Sequence, residues 1–479
     1  MDRFDYGALG TLPAAIGRPQ RSAPPVTGIV HFGPGAFHRA HQAAYIDTLL
    51  DSDPGWGIAA VSLRSAGTVA ALAAQQGLYT LAIRDAEPSL RVIGAHSRFL
   101  GPDDAGETQA LLADAGVKLV TTTVTEKGYC LAADGTLDMA HPDIVRDLAG
   151  AAVPRSVIGW IVGGLAARRA SGVAPFVVMP CDNLAGNGAK VKAALVAFAA
   201  MQDADLAAWI HAHVHVPGTM VDSITPAADD ALYASVAAAL GVEDCAAVQR
   251  EAFAQWVIED VGSPVCAALA RAGATLTDNV AGYEQAKLRM LNGAHSTLAY
   301  AGLLRGHVSV AEAMGDAALA GFVDTMIRVD IVPTLQAVAG LDHDAYRAAV
   351  LARFRNPAIV HRLDQIAADG SQKIPYRLGD TLAARRRAGV MPQHVVTALG
   401  CWVAFLMRRA RANVAIVDPA GAALATAAAQ GDAASVLDRL IAARLGFSGD
   451  LAADRDAATA IATAAQAAFD GDWATLLPA

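Results

Sequence analysis

A short apolar run, a glycine turn and an apolar stripe at helical spacing open the ordered pattern of this chain. Thr27–Phe32 is rich in β-branched and apolar residues, which is typical of a buried strand. Gly33-Pro34-Gly35 follows at once, and apolar side chains recur through residues 36–50 at the spacing of one helix. The pattern predicts a strand, a tight turn and a helix, the setting in which a dinucleotide pyrophosphate binds at a helix N-terminus.

Strand and helix patterns alternate up to about residue 280, and only helical patterns follow. The further predicted strands are residues 57–63, 78–83, 117–124 and 176–179, and the intervening predicted helices include residues 157–169 and 190–201. This alternation predicts a mainly parallel sheet with crossover helices. We therefore predict an α/β domain over residues 1–280, opening with a lead-in arm over residues 1–25, and a mostly helical domain over residues 281–479. Breaks between the C-terminal helices are expected at Gly306, Pro333, Pro357, Pro375 and Gly446.

The glycine turn is an incomplete nucleotide-binding motif. A GxGxxG pattern would place a third glycine at position 38, where this chain has His38, so a nucleotide site and an ordinary turn both remain open. The next strand of such a fold usually ends at an acidic residue that binds ribose hydroxyls, but here Arg64 follows it. Arg64 can meet a 2′-phosphate, stack on adenine or be solvated, which leaves NAD and NADP open.

Polar segments follow several of the apolar runs. Residues 125–129 and 180–184 come directly after predicted strands, where ligands of parallel sheets collect. Residues 221–226 end at a proline and can direct Asp222 into a cleft.

The predicted helix over residues 283–300 combines leucines with ionisable and amide groups. At about 100° per residue, Lys287, Glu284, His295 and Asn292 lie within an arc of about 140°. A helix so apolar all round is normally buried, and burying these groups is unfavourable unless each is paired. From the helix alone, either a satisfied core network or the polar face of a reaction cleft would account for them.

Composition and charge narrow the class of protein. The 479 residues are 54% hydrophobic and 17% charged with a net charge of −9, which argues against a nucleic-acid or anionic-membrane surface. We expect a cytoplasmic protein without signal peptide, membrane span or metal. His211, His213 and His215 alternate and would share one face of a strand, but a surface strand is favoured over a zinc site. Five scattered cysteines are expected to be reduced core thiols: Cys130, Cys181, Cys245, Cys266 and Cys401.

Taken together, the motifs resemble the mannitol dehydrogenase family, the polyol-specific long-chain dehydrogenases. The matching segments, in order, are IVHFGPGAFHRAHQAAYID (29–47), TVTEKGY (123–129), VMPCDNLAGNG (178–188), VDSITP (221–226) and KLRMLNGAHS (287–296). The resemblance implies a metal-independent oxidoreductase with an N-terminal Rossmann-type domain and a C-terminal helical domain. Such an enzyme interconverts a sugar alcohol or aldonate with its keto-sugar, using NAD or NADP.

The resemblance also implies roles for single residues. The motif lysine, Lys287, is the acid/base, and Asn292, His295 and Asn183 complete the catalytic set. Asp222 contacts the substrate, although Ser223 stands where the family usually has arginine, which puts a supporting salt bridge in doubt. The residues expected to bind the cofactor are Gly33, Gly35, Ala36, Phe37, Arg39, Arg64, Thr125, Glu126 and Asn183.

Three motif sequences, TEKGYC, LRMLNGAHS and DGSQKIPYR (369–377), are more similar to the fructuronate reductase branch than to mannitol 2-dehydrogenase. A uronate carries a carboxylate, and Arg362, Lys373 and Arg377 are its candidate partners, or else a solvated charge cluster. In the predicted mechanism Lys287 transfers the proton, the two asparagines stabilise the alkoxide, and Glu284 relays protons to water or pairs with the lysine. A monomer or small homo-oligomer acting on a sugar or sugar acid is expected. A non-catalytic nucleotide sensor and a metal-dependent alcohol dehydrogenase are the less favoured alternatives.

Overall fold

The computed structural model of the protein describes residues 4–477 and confirms an α/β N-terminal part followed by a helical C-terminal part. The chain divides into two compact units, residues 1–281 and 282–479. The N-terminal unit contains eleven strands among its described residues: β1 (Thr27–Phe32), β2 (Gly57–Val61), β3 (Tyr79–Arg84), β4 (Ser89–Ile93), β5 (His96–Leu100), β6 (Leu119–Thr122), β7 (Val177–Pro180), β8 (Thr219–Asp222), β9 (Val248–Glu251), β10 (Gln255–Glu259) and β11 (Thr275–Thr277).

Five of these strands form an all-parallel sheet in the order β5-β2-β1-β6-β7. Both faces of its central strands are buried, which explains why β1 and β2 are continuous apolar runs. Ile29 packs into one hydrophobic cluster, whereas Val30 and Phe32 pack into another, so alternate side chains of β1 face the two layers.

Helices pack on the sheets of this unit. The helices among its described residues are α1 (Ala36–Ala40), α2 (Gln42–Leu49), α3 (Gly67–Ala74), α4 (Ala105–Ala113), α5 (Pro142–Leu148), α6 (Val157–Ala170), α7 (Asn187–Ala200), α8 (Ala204–His213), α9 (Asp230–Leu240) and α10 (Pro264–Arg271). The prediction of a single helix over residues 36–50 is wrong. His41, with φ −117° and ψ −90°, separates α1 from α2.

Two further three-stranded sheets complete the N-terminal unit. One has the order β4-β3-β9, with β3 and β4 antiparallel, and the other has the order β11-β10-β8. The predicted strand over residues 78–83 therefore exists but lies outside the parallel sheet. Of the predicted lead-in arm, the first three residues lie outside the described part, while Phe4, Leu9 and Leu12 are buried against Leu78.

The C-terminal unit is helical throughout the described residues. A helix that spans the division of the chain, α11 (Val280–Ala286), is followed by α12 (Gly293–Leu304), α13 (Val310–Gly315), α14 (Ala317–Thr325), α15 (His343–Phe354), α16 (Leu363–Ile366), α17 (Gly370–Ile374), α18 (Asp380–Arg387), α19 (Gln393–Arg411), α20 (Gly421–Ala428), α21 (Ala433–Ala442), α22 (Asp450–Ala453), α23 (Arg455–Asp470) and α24 (Trp473–Leu476). A Cβ on Gly400 would lie 2.7 Å from the Cβ of Ala464, so glycine permits the close packing of α19 on α23.

Three π-helical segments, Lys287–Asn292, Met326–Ile331 and Pro375–Gly379, interrupt these helices. The prediction of a regular α-helix through residues 283–300 is therefore wrong between Lys287 and Asn292, because a π turn contains more residues than an α turn. The predicted break at Pro375 is also wrong, since the backbone stays helical there.

Two other expectations were that the chain has no membrane span and that its five cysteines are core thiols. Along the described chain, the helices are too short or too polar to cross a membrane. Four of the five free cysteines are buried, but Cys245 is exposed, which corrects the expectation of five core thiols.

Candidate functional site

Gly33 is held in a conformation that glycine alone adopts readily. Its φ is +91°, and a Cβ there would lie 2.2 Å from the carbonyl oxygen of Thr123. Its own carbonyl accepts hydrogen bonds from Gly35 N at 2.7 Å, from Thr123 Oγ1 at 2.7 Å and from His31 Nε2 at 3.2 Å. A Cβ on Gly35 would meet only the Gly33 oxygen, at 3.9 Å. The turn is thus fixed by contacts at Gly33 and free of close contacts at Gly35. A coenzyme pyrophosphate needs such an open stretch of backbone in order to approach it.

Three fully buried histidines, on β1, α1 and β5, pack together next to the turn. The rings of His31 and His38 stack with centroids 3.4 Å apart, and His38 Nε2 lies 3.1 Å from His96 Nε2. Burial lowers the pKa of His31 and of His96 to about 3, and that of His38 well below 6.5. His38, which replaces the third glycine of the motif, therefore packs as a neutral ring between strand and helix.

The remaining residues of α1 that were assigned to the cofactor have different surroundings. Arg39 is buried and donates from Nη1 to the carbonyl of Pro34 at 2.9 Å, a hydrogen bond that ties α1 to the glycine turn. Phe37 stacks on His41 with ring centroids 5.0 Å apart, and Ala36 begins the helix. Arg64, just beyond β2, is 82% exposed and lies 3.5 Å from Asp143.

One buried carboxylate joins the two polar loops that follow β6 and β7. Asp182 accepts hydrogen bonds from Val124 N at 3.1 Å, from Thr125 N at 2.7 Å and from Tyr129 Oη at 2.6 Å. Burial raises the pKa of Asp182, and these hydrogen bonds oppose the shift. Thr125 has φ +66°, and Asn183 directly follows Asp182 as an exposed side chain.

Two further carboxylates of the predicted set are found in the N-terminal unit. Glu126 is exposed at the start of a 3₁₀ turn, Glu126–Tyr129. Asp222 is buried at the last position of β8, where it pairs with Gln255 of β10.

In the C-terminal unit, Lys287 is buried at 9% exposure and is the first residue of a π-helical segment. Glu284 is half-buried on the preceding α11. Arg289 donates from Nη1 to Thr334 Oγ1 at 2.9 Å, which anchors the same segment. The amine therefore lies on a π-helical segment that is also tied to Thr334.

His295 lies at the start of α12 in a buried, basic environment. Its ring centroid is 4.4 Å from that of Phe354 and 4.9 Å from that of His361. Burial lowers its pKa well below 6.5, and His361, Arg353 and Arg377 push in the same direction. His295 Nε2 is buried without a hydrogen-bond partner among the described residues.

Of the three basic side chains assigned to a substrate carboxylate, Arg377 lies beside this histidine. Its Nη1 donates to Ser296 Oγ at 3.1 Å and approaches the Asn292 carbonyl at 3.5 Å. Its Nε is buried without a partner in the described part of the chain, and burial lowers its pKa.

The other two basic side chains have partners elsewhere. Arg362 is paired with Asp364, Nη2 to Oδ2 at 2.6 Å, and more than half of its side chain is exposed. Lys373 donates from Nζ to the Ala368 carbonyl at 2.8 Å and lies 3.4 Å from Asp369.

The predicted histidine strand is wrong, because α8 ends at His213 and all three side chains are exposed. A different group of metal-capable side chains is found among residues 4–477, where ligand atoms of Cys130, His141 and Asp143 lie within 4.8 Å of one another. Because His141 Nδ1 accepts the Asp143 N–H at 3.2 Å, its proton is on Nε2, so neither nitrogen offers a free lone pair.

Sequence reasoning did not identify His361, Ser296 or Asp182. His361 lies 66 positions from His295, so no local spacing connects them. Asp182 and Tyr129 were both visible within quoted motifs, and the placement of their loops after neighbouring parallel strands was the available indication.

Comparison with known proteins gives consistent matches over nearly the whole chain. The family model of the mannitol dehydrogenase Rossmann domain matches residues 27–267, and that of the mannitol dehydrogenase C-terminal domain matches residues 279–469. D-mannonate oxidoreductase of Escherichia coli (strain K12) is 39% identical over 448 residues, 91% of this chain and 92% of that protein. The crystal structure of a D-sorbitol dehydrogenase, 29% identical, has a TM-score of 0.90 over 98% of this chain and 99% of its own. Pseudomonas fluorescens mannitol 2-dehydrogenase in ternary complex with NAD and D-mannitol, 33% identical, has a TM-score of 0.82 over 99% of each chain.

Proposed function

The chain belongs to the mannitol dehydrogenase family of oxidoreductases, and on this basis we propose that it interconverts D-fructuronate and D-mannonate with a nicotinamide coenzyme. The likeness to a D-mannonate oxidoreductase supports the sugar acid as substrate. The solved complex of a mannitol 2-dehydrogenase contains NAD, which supports a nicotinamide coenzyme for this chain. That coenzyme is NAD or NADP. When bound, the coenzyme supplies or accepts the hydride.

The observation that carries the proposal is the burial of the Lys287 side chain on a π-helical segment. Short π segments occur frequently at functional sites. In the reductive direction the ammonium of Lys287 gives a proton to the oxygen of the reacting carbonyl, and in the oxidative direction the neutral amine takes it back. General acid–base catalysis of this kind typically contributes about 10²–10⁴ in rate.

Neighbouring groups have assigned roles in the same proposal. The side-chain amides of Asn292 and Asn183 donate hydrogen bonds to the alkoxide, a role for which one donor is typically worth about 10²–10³ in rate. His295 binds a substrate hydroxyl through the nitrogen that lacks a protein partner. Glu284, one turn before Lys287, relays the proton to solvent, and Asp222 binds a substrate hydroxyl.

Arg377 is the residue we assign to the substrate carboxylate. Its side chain is half-buried, its buried Nε lacks a partner among the described residues, and it forms no ion pair within that part of the chain. A partly desolvated guanidinium with an unpaired N–H is unfavourable, and a ligand carboxylate would supply the missing acceptor. Arg362 and Lys373 already have carboxylates nearby, so we give them the secondary role of adding positive potential.

The test compares D-fructuronate with D-fructose, which replaces the carboxylate by a hydroxymethyl group. We expect a higher kcat/KM for fructuronate. Arg377→Gln should lower that value about 10- to 100-fold, because a charged hydrogen bond is lost, and should change the value for fructose much less. Arg386→Gln is the matched control, since Arg386 is paired with Asp454 and has no assigned role in the reaction.

Preference of the wild-type enzyme for D-fructose would instead support a mannitol 2-dehydrogenase. That second candidate is favoured by the structural match to the D-mannitol complex. Binding of coenzyme without turnover of any keto-sugar would contradict both enzymatic functions.

A further inference from the structure

The carboxyl end of β2 lies directly beside the glycine turn. Phe32 of β1 pairs with Val61 of β2 in parallel register, and Gly33 N donates to the Val61 carbonyl at 3.0 Å. In dinucleotide-binding sheets the adenosine ribose lies at the end of this second strand, and the side chains there choose between a free 2′-hydroxyl and a 2′-phosphate.

The segment after β2 carries a positive charge, whereas ribose hydroxyls are usually bound at this point by an acidic side chain. Residues 62–67 contain no Asp or Glu, and their one ionisable residue is Arg64. The Arg64 side chain is 82% exposed, so its guanidinium is accessible to a ligand. An acidic side chain at this point would accept the ribose hydroxyls and repel a phosphate, whereas a guanidinium binds phosphate oxygens through paired N–H groups.

Arg64 is only loosely held by the protein. Its Nη2 lies 3.5 Å from Oδ2 of Asp143, in the first turn of α5, and no other hydrogen bond of the Arg64 side chain is found within residues 4–477. An exposed pair at this distance contributes little to stability. A phosphate, with nearly twice the charge of a carboxylate and three acceptor oxygens, would displace Asp143 from the guanidinium.

We propose that Arg64 is the receptor for the 2′-phosphate of NADP(H), so that this chain binds the phosphorylated coenzyme in preference to NAD(H). The inference rests on the proposed function only in requiring that the N-terminal unit binds a dinucleotide. Asp143 then tunes the preference, because its carboxylate competes with the phosphate for the same guanidinium.

The direct test is calorimetric titration of the full chain with adenosine 2′,5′-bisphosphate and with 5′-AMP, which differ by the 2′-phosphate alone. We expect the bisphosphate to bind about tenfold more tightly or better. Arg64→Ala should abolish this difference while leaving the affinity for AMP unchanged. Asp143→Asn should increase it, and Arg98→Ala is the matched control, since Arg98 is an exposed arginine of β5 paired with Glu107.

Equal affinity of the wild-type chain for the two nucleotides would overturn the proposal, as would an equal loss for both nucleotides in Arg64→Ala. The ratio of kcat/KM for NADPH and NADH should follow the binding ratio. Because titration needs no turnover, a nucleotide difference without activity would contradict the proposed reaction and leave the role of Arg64 standing. Turnover with equal affinities for the two nucleotides would contradict the role of Arg64 and leave the proposed reaction standing.

Discussion

Asp182 takes three hydrogen bonds with one carboxylate, and each donor belongs to the loop after β6. We expect Asp182→Asn to destabilise the protein by about 1–3 kcal/mol, because the amide turns an N–H toward a donor and leaves buried groups unpaired. The loop should then lose its fixed geometry, and KM for the coenzyme should rise. Urea denaturation and steady-state kinetics measure the two effects.

Asp134→Asn is the control for that substitution. Asp134 accepts hydrogen bonds from Thr136 N and Oγ1 in an exposed turn, so it has similar chemistry without burial. An Asp182 variant as stable as the Asp134 variant, with unchanged KM, would show that Asp182 does not hold the loop.

At the scale of single residues, local spacing identifies a candidate set but not the partners of each member. The sequence placed Lys287, Asn292 and His295 together because they lie within one helical stretch. It treated Arg362, Lys373 and Arg377 as equivalent, yet Arg362 is paired with Asp364, whereas Arg377 is half-buried and donates to Ser296. Which of several nearby arginines is paired depends on side-chain geometry, which periodicity does not encode.

Among the elements, the histidine stack connects β1, α1 and β5. His31 Nε2 must carry a proton, since it faces the Gly33 carbonyl, so the Thr121 hydroxyl donates to Nδ1. His38 and His96 share one hydrogen bond, and the Nδ1 atom of each is buried without a partner in the described chain. The stack is therefore stable only while its rings are neutral.

This arrangement predicts acid sensitivity. The unfolded chain protonates each imidazole below pH about 6.5, whereas folded His31 and His96 stay neutral down to about 3. Between those values the unfolded state binds more protons, so the free energy of unfolding falls as the pH is lowered. Each ring should contribute a slope of about 1.4 kcal/mol per pH unit below pH 6.5.

The measurement is urea denaturation of wild type and His38→Gln between about pH 5 and about pH 7. The variant keeps a polar side chain but no titrating group, so its slope should be smaller by the contribution of one ring. Identical slopes would mean that His38 titrates normally in the folded state.

The sequence predicted the existence of the helices better than their internal geometry. The pattern over residues 283–300 correctly indicated a buried helical stretch, but the π segment Lys287–Asn292 was not foreseen. A π turn inserts one extra residue, which shifts the later side chains around the helix axis. In a helix that is apolar on all sides, this shift does not change the pattern of apolar positions detectably. Here the contacts of Arg289 with Thr334, distant in sequence, accompany that geometry.

For the whole molecule, the change from alternating to purely helical patterns predicted the α/β part and the helical part. Of the five-stranded parallel sheet, β5 (His96–Leu100) was not predicted because it is not an apolar run, whereas β1, β2, β6 and β7 were predictable because they lie within apolar runs. The sheet β4-β3-β9 was not, since Leu81 pairs with Val248 across a separation that no local pattern reveals. Long-range strand pairing is decided by tertiary packing rather than by propensity.

The proposed reaction depends on one buried amine, and the most direct measurement is turnover by Lys287→Ala with D-fructuronate and reduced coenzyme, alongside coenzyme affinity. We predict a fall in kcat of about 10²-fold or more, with coenzyme affinity nearly unchanged and partial rescue by added primary amines. Lys192→Ala is the control, because Lys192 Nζ donates to the Ile210 carbonyl at 2.8 Å and has no assigned role in the reaction. An unchanged kcat in Lys287→Ala would contradict the assignment of this lysine as the acid/base.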